Sequence, residues 1–334
     1  FPAAAYAVPL RSNLRLQQAL DAAISSGPGG AWPTPVCVVS LESPAGAHPV
    51  ASYRGAEVDY SASLVKVAAM YAAFELRGTL RAIAQELGGS VAPADVLSKA
   101  GSYLNPRIMG RIKTIPPLRG IDREHAVPRY TKAFQVAGGD VDFTPAFKDS
   151  LKQMISVSSN ADAASCIHGC GYGYLNGALA SAGFFDPSTT TGLWLAGDYV
   201  HQYPYFRIPS VNDGQIAQGA TVFSLATLFT LLFDRTLVDS ASSDEMLTLL
   251  TTSVAAGEVY ITRASGLDFT VTNGKLGLGP LKSGGDVCSE AAILQHTSGA
   301  LFVAAWQNFT YRDPDGFDPI AHVVRDTIDG YLAP

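Results

Sequence analysis

Charge is scarce in this chain: of its 334 residues, 16% are Asp, Glu, Lys or Arg, against 47% hydrophobic. A substantial core can therefore be filled. The formal charge of -6 argues against a nucleic-acid partner or an anionic membrane surface. Long apolar runs are missing too, since none reaches the ~20 residues that span a bilayer. Four cysteines, Cys37, Cys166, Cys170 and Cys288, are too few for a disulfide scaffold at this length. Cys166 and Cys170 flank His168 in a metal-like spacing. Zinc usually takes four ligands, and no second Cys/His cluster is near, so the spacing favours buried thiols and no metal. No repeat or low-complexity segment stands out. Position 1 is Phe, not Met, which suggests a processed chain, secreted or periplasmic, whose signal peptide has been removed.

What is present begins with Tyr60–Phe74, a stretch apolar on nearly every helical face and so expected to run through the protein's middle. Ser63 and Lys66 interrupt it near its start, three residues apart on one face. Burial penalises a lysine's charge, which brings a neutral amine within reach near pH 7. Such an amine beside a hydroxyl can activate serine without histidine, and the helix start offers N–H groups to a developing oxyanion. The bland alternative is a capping serine, Ser61 or Ser63, beside a lysine whose head escapes to water.

Along the chain, residues 1–12 read as an extended tail and Leu14–Ile24 as a helix. Val36–Leu41 and Val50–Arg54 read as paired strands. Residues 78–155 carry so many Pro and Gly that long regular elements are not expected before a helix at Pro145–Ile155. A loop-rich stretch, 169–219, holds Trp194, Tyr199, Tyr203, Tyr205 and Phe206, a cluster that can line a pocket but more often packs a loop. Helices at Val222–Phe233 and Asp244–Thr252 precede three strands (Leu276–Pro280, Glu290–Gln295, Ala300–Gln307) and a closing helix, Pro319–Leu332. The implied fold class is α+β: a five-stranded antiparallel sheet flanked by the terminal helices, with an inserted helical lobe. Residues 12–60 and 220–334 would form the sheet lobe and 61–219 the helical lobe, with an active site between them.

Three short motifs stand in order: Ser63-Leu64-Val65-Lys66, Ser158-Ser159-Asn160 and Lys282-Ser283-Gly284. They match the S-x-x-K, S-D-N and K-T-G trio of class A β-lactamases and penicillin-binding proteins. With Met154–Ala164 around the second motif, the chain resembles the serine β-lactamase and penicillin-binding protein superfamily, closest to class A. The resemblance implies Ser63 as acylated nucleophile, Lys66 as its base and Ser158 as proton relay to the leaving group. It implies that Asn160 holds Lys66 and a substrate amide, and that Lys282, Ser283 and Gly284 meet the substrate. The oxyanion would be held by the N–H groups of Ser63 and Asp286. No cofactor is implied, and the partner is a small-molecule or peptide-like substrate: a β-lactam, an ester or a D-peptide.

The departures bear on turnover. Ser159 replaces aspartate, which should loosen its loop, and Ser283 replaces threonine. Asp286 and Glu290, close after Lys282, are unfavourable to an anionic substrate unless they point away. Class A enzymes carry a loop glutamate that activates the deacylating water, and no glutamate lies between Asn160 and Asp244. Asp186, Asp198 and Asp213 are left for that task. The sequence thus points to a serine acyl hydrolase that acylates through Ser63 but is weak on ordinary β-lactams. An active β-lactamase with another deacylation base, or a non-catalytic penicillin-binding-type module, are the alternatives.

Overall fold

A computed structural model describes residues 5–27, 32–88, 91–137, 139–201, 206–215, 218–311 and 318–334. Its first third runs β1 (Leu10–Ser12), α1 (Leu14–Ser26), β2 (Val36–Ser40), β3 (His48–Tyr53), a 3₁₀ turn (Ala62–Val65), α2 (Lys66–Leu87) and α3 (Pro93–Ile112). There follow α4 (Arg123–Ala126), α5 (Tyr130–Ala133), β4 (Phe134–Ala137), β5 (Asp140–Phe143), α6 (Pro145–Ser156), α7 (Asn160–Cys170) and α8 (Tyr172–Ala182). Four two-residue strands come next, β6 (Phe185–Asp186), β7 (Thr191–Gly192), β8 (Trp194–Leu195) and β9 (Gln218–Gly219). The chain closes with α9 (Val222–Phe233), α10 (Ser240–Ala255), β10 (Phe269–Pro280), β11 (Asp286–His296), β12 (Leu301–Tyr311) and α11 (Asp318–Leu332).

Two compact units result, one of Ala7–Leu64, Ser210–Gln215 and Gly219–Pro334, the other of Phe1–Tyr6, Val65–Pro209 and Ile216–Gln218. The first holds a mixed sheet in the order β1-β3-β2-β12-β11-β10. It has six strands, which corrects the expected five: β1 pairs parallel with β3, Leu10 opposite His48, within what reads as a tail. Three residues, one half-buried and two exposed, leave no alternation to read. β10 starts at Phe269, earlier than expected, and its pairing with β11 carries a bulge between Val271 and Asn273. The terminal helices cover one face, with Leu16 and Leu20 of α1 and Ile320, Val324 and Ile328 of α11 packed over Val36, Val38, Phe302 and Trp306.

The second unit is built on α2, against which α3, α6, α7, α8 and β5 pack. Every residue from Lys66 to Arg77 is buried, as the all-apolar face pattern requires. Arg77 is 1% exposed, its guanidinium lying 4.6 and 4.8 Å from the ring centroids of Phe74 and Phe143, with Asp142 at 3.2 Å. The Pro-rich region contains the twenty-residue α3, contrary to expectation. Ala100, Leu104, Ile108 and Ile112 form its buried stripe, while Pro106 sits on the exposed face, where water can satisfy the carbonyl its missing N–H leaves open. Among the described residues no helix is long and apolar enough to cross a membrane. All four cysteines are buried and free. Tyr203 and Tyr205 of the aromatic cluster lie outside the described residues.

Candidate active site

Ser63 sits in the 3₁₀ turn that runs straight into α2. From Val58 to Arg77 it is the one residue that is not buried. The segment before it is tied into the sheet unit by Gln307 of β12. The Gln307 amide nitrogen donates to Asp59 Oδ2 at 3.1 Å and to the Ala220 carbonyl at 3.0 Å, and its oxygen accepts the Ser61 hydroxyl at 2.9 Å. Burial raises the Asp59 carboxyl to about 6, although the Gln307 bond opposes the shift. Ala62, just before the serine, is held at φ 47°. A non-glycine residue in that region costs ~1–3 kcal/mol and tends to mark functional sites.

The capping alternative fails on both counts. Val65, the residue before α2, has no side-chain cap, and the Ser61 hydroxyl is spent on Gln307 and the Asp59 carbonyl. Lys66 does not escape to water; it is 0% exposed. Nor is it left in an apolar setting. Its Nζ donates to the Ser158 carbonyl, to Asn160 Oδ1 at 2.8 Å and, at 3.4 Å, to the Ser158 hydroxyl. The ring of Tyr199 completes the enclosure, its centroid 4.7 Å from Nζ. Three oxygen acceptors and a π face match an ammonium's donors, which lowers the cost of burying it.

Ser158 and Asn160 are brought to Lys66 by the junction of α6 and α7. Ser158 has φ 59°, a second strained residue at the site. Ser159 does not loosen this loop. It caps α7, accepting from the Asp162 N–H at 3.3 Å and donating its hydroxyl to Asp162 Oδ2 at 2.6 Å. The carboxylate absent at 159 is supplied three residues later, by Asp162.

The third motif follows directly on β10, which ends at Pro280 as the sequence reads it. Lys282, Ser283 and Gly284 form the exposed turn between β10 and β11. Lys282 Nζ faces Asp213 Oδ1 at 3.7 Å, and its N–H donates to the Asp213 carbonyl at 2.8 Å. Asp286 opens β11, an interior strand opposite Pro280 and Tyr311, so the open sheet edge belongs to β10 instead. Glu290 is turned into the interior, accepting from the N–H groups of Tyr260 and Ile261 at 2.9 and 3.1 Å. Burial pushes its pKa up to about 8.

Glycines on β10 escape notice in the sequence. A Cβ on Gly277 would lie 2.2 Å from the Ser61 carbonyl oxygen and 2.5 Å from the Leu64 nitrogen; one on Gly279 would lie 2.6 Å from the Tyr60 hydroxyl. Only glycine lets the strand backbone approach the serine segment so closely. Lys275-Leu276-Gly277 is a second K-x-G triplet, and this one lies within the strand. The alternation Gly277-Leu278-Gly279 was the available signal. Lys275 is fully buried 3.7 Å from Glu258 Oε2, and burial lowers its pKa to about 8 against the pull of that carboxylate.

Of the three aspartates considered for deacylation, Asp186 is bound by Ser188 N–H at 2.8 Å, Ser188 Oγ at 2.7 Å and Thr189 Oγ1 at 2.9 Å. The Ser188 hydroxyl and N–H keep its carboxyl below the ordinary range. Asp198 is 1% exposed and faces His168 and His201. Burial pushes its pKa up, but hydrogen bonds from His201 and His168 outweigh this, and the net shift is downward. Asp213 faces Lys282. Trp194 packs its loop, its ring centroid 4.7 Å from that of Phe185 and tilted to it by 42°, whereas Tyr199 lies over Lys66.

No protein-family model matches the chain, and no curated protein matches its sequence. Solved structures do match in fold. A β-lactamase from Sphaerobacter thermophilus is 17% identical with a TM-score of 0.52, covering 95% of this chain and 98% of its own. A class A β-lactamase representative from Bacteroides cellulosilyticus is 14% identical at TM-score 0.54, with coverages of 94% and 97%. PBP-A is 17% identical at TM-score 0.51, with coverages of 96% and 97%. The chain has the fold shared by class A β-lactamases and PBP-A.

Proposed function

We propose that this chain is a serine acyl hydrolase that works through an acyl-enzyme on Ser63 and turns over ordinary β-lactams slowly. The observation that carries the reading is the pairing of the single surface-reaching hydroxyl in a buried segment with a fully buried lysine three residues on. Ser63 lies in the 3₁₀ turn and Lys66 opens α2 directly after it, at the three-residue spacing of side chains that neighbour each other on a helix. Lys66, in its neutral amine form and with one of its three donated hydrogen bonds given up, takes the Ser63 proton as Oγ attacks the carbonyl carbon of an amide or ester. Ser158, 3.4 Å from Lys66 Nζ, passes a proton to the leaving nitrogen or oxygen. Asn160 fixes the lysine and offers its amide N–H₂ to the substrate. Of the two K-x-G triplets, the strand one is assigned to the site, because Gly277 touches the backbone on either side of Ser63.

Slow deacylation follows from the aspartates. Asp186 and Asp198 spend oxygens on local donors, and Asp213 faces Lys282. The substrate class is a β-lactam, an activated ester or a D-peptide, met outside the cytoplasm. Intact-mass measurement after exposure to a penicillin or an activated ester should show one acyl adduct. Ser63→Ala should abolish it. Rapid, Ser63-dependent turnover of a chromogenic cephalosporin would instead make the chain an efficient β-lactamase.

A further inference from the structure

Tyr199 is a bulky residue held at φ 65° and only 7% exposed, with its ring over Lys66 Nζ. Such backbone costs ~1–3 kcal/mol and persists only where the surroundings over-determine it. Here its neighbours do so. Asp198 accepts from the N–H of Val200 at 3.1 Å, the N–H of His201 at 2.7 Å, His201 Nδ1 at 2.9 Å and His168 Nε2 at 3.2 Å. His168 stands eight residues beyond Asn160 on α7, so one helix grips Lys66 at its first turn and clasps the Tyr199 loop two turns later.

We propose that Tyr199 is a positioning residue that roofs Lys66 and bars water from the acyl-enzyme, with the Asp198 clasp holding the roof shut. The proposal rests on the Ser63 acyl-enzyme reading. Hydrolysis needs a water oxygen to add to the ester carbonyl carbon, the bond from that carbon to Ser63 Oγ to break, and the water's proton to reach Oγ. Lys66 is the amine three residues along the chain from that ester, and the ring lies over its Nζ.

Two variants test this. Tyr199→Phe keeps the ring; Tyr199→Gly removes it at a backbone angle that suits glycine. With acyl-enzyme followed by intact mass in single turnover, Tyr199→Gly should shorten its lifetime about tenfold or more, and Tyr199→Phe should keep the lifetime of the unaltered chain. An unchanged lifetime in folded Tyr199→Gly overturns the proposal. So does an equal loss in Tyr199→Phe, which would place the effect in the hydroxyl. A second readout needs no acyl-enzyme: reductive methylation by formaldehyde and cyanoborohydride, located by peptide mass. Lys66 should stay unmodified in the unaltered chain and in Tyr199→Phe and become modified in Tyr199→Gly; protection in all three overturns the roof. Failure of the unaltered chain to form any adduct would defeat the proposed function, while the methylation result still decides whether Tyr199 seals the lysine.

Discussion

Lys66 satisfies its donors with two oxygens of Ser158, one of Asn160 and the face of Tyr199, and this couples residues over a hundred positions apart. Lys66→Met removes the donors and strands their acceptors in a buried site. Acylation should fall by ~10²–10⁴, the usual worth of a positioned base, and stopped-flow single turnover would measure it. If acylation survives at the original rate, the lysine is structural. At this scale much was legible. Ser63, Lys66, Ser158 and Asn160 were named from motif order, and three of them meet around one nitrogen. The lysine's surroundings were not legible, because a helix's own sequence says nothing of the polar groups that other segments bring to it. Ser159 misled for a related reason: its partner carboxylate sits at Asp162, one turn further on.

At the scale of elements, β10 and the serine segment are fitted by glycine. Gly277→Ala puts a methyl group 2.2 Å from the Ser61 carbonyl oxygen, so Ser61–Leu64 must shift. A displacement of about 1 Å at a reacting group can cost ~100-fold, and the acylation rate should drop by that order. Substitution without loss would dissociate the strand from the chemistry. Ser159→Ala tests the α7 cap; loss of such a cap costs ~1 kcal/mol, read as a lower denaturation midpoint with an unchanged slope. A K-x-G triplet carries no mark of whether it ends a strand or turns the corner after it, and the bulge at Val271/Asn273 hid the true length of β10. β1 went unread because three residues paired at a sheet edge carry no periodicity.

The whole molecule keeps a pH signature in its sheet unit. Burial lifts Glu290 from 4.5 to about 8, so between those values the folded chain holds a proton that the unfolded chain has lost. Stability must therefore fall as pH rises across that window. Lys275 shifts the other way, from 10.5 to about 8, so the unfolded chain holds the extra proton above pH 8 and stability recovers as pH rises further. Thermal melts of the unaltered chain should show this contribution as a trough near pH 8, and Glu290→Gln should flatten the fall between about pH 5 and 8. A variant profile parallel to the original would show that the carboxyl titrates normally. The α+β class and the grouping of strands around a helical middle were readable because hydrophobic period and turn residues act locally. The sixth strand and the burial of Lys275 and Glu290 were not, since pairing and burial are decided by segments far apart in sequence.

The most direct measurement is the mass of the chain after timed exposure to a penicillin or an activated ester, beside Ser63→Ala. A single adduct, located on the peptide containing Ser63, lost in the variant and decaying slowly, is the expected result. No adduct with any acylating probe, or one that persists undiminished in Ser63→Ala, would contradict the assignment of Ser63 as the nucleophile.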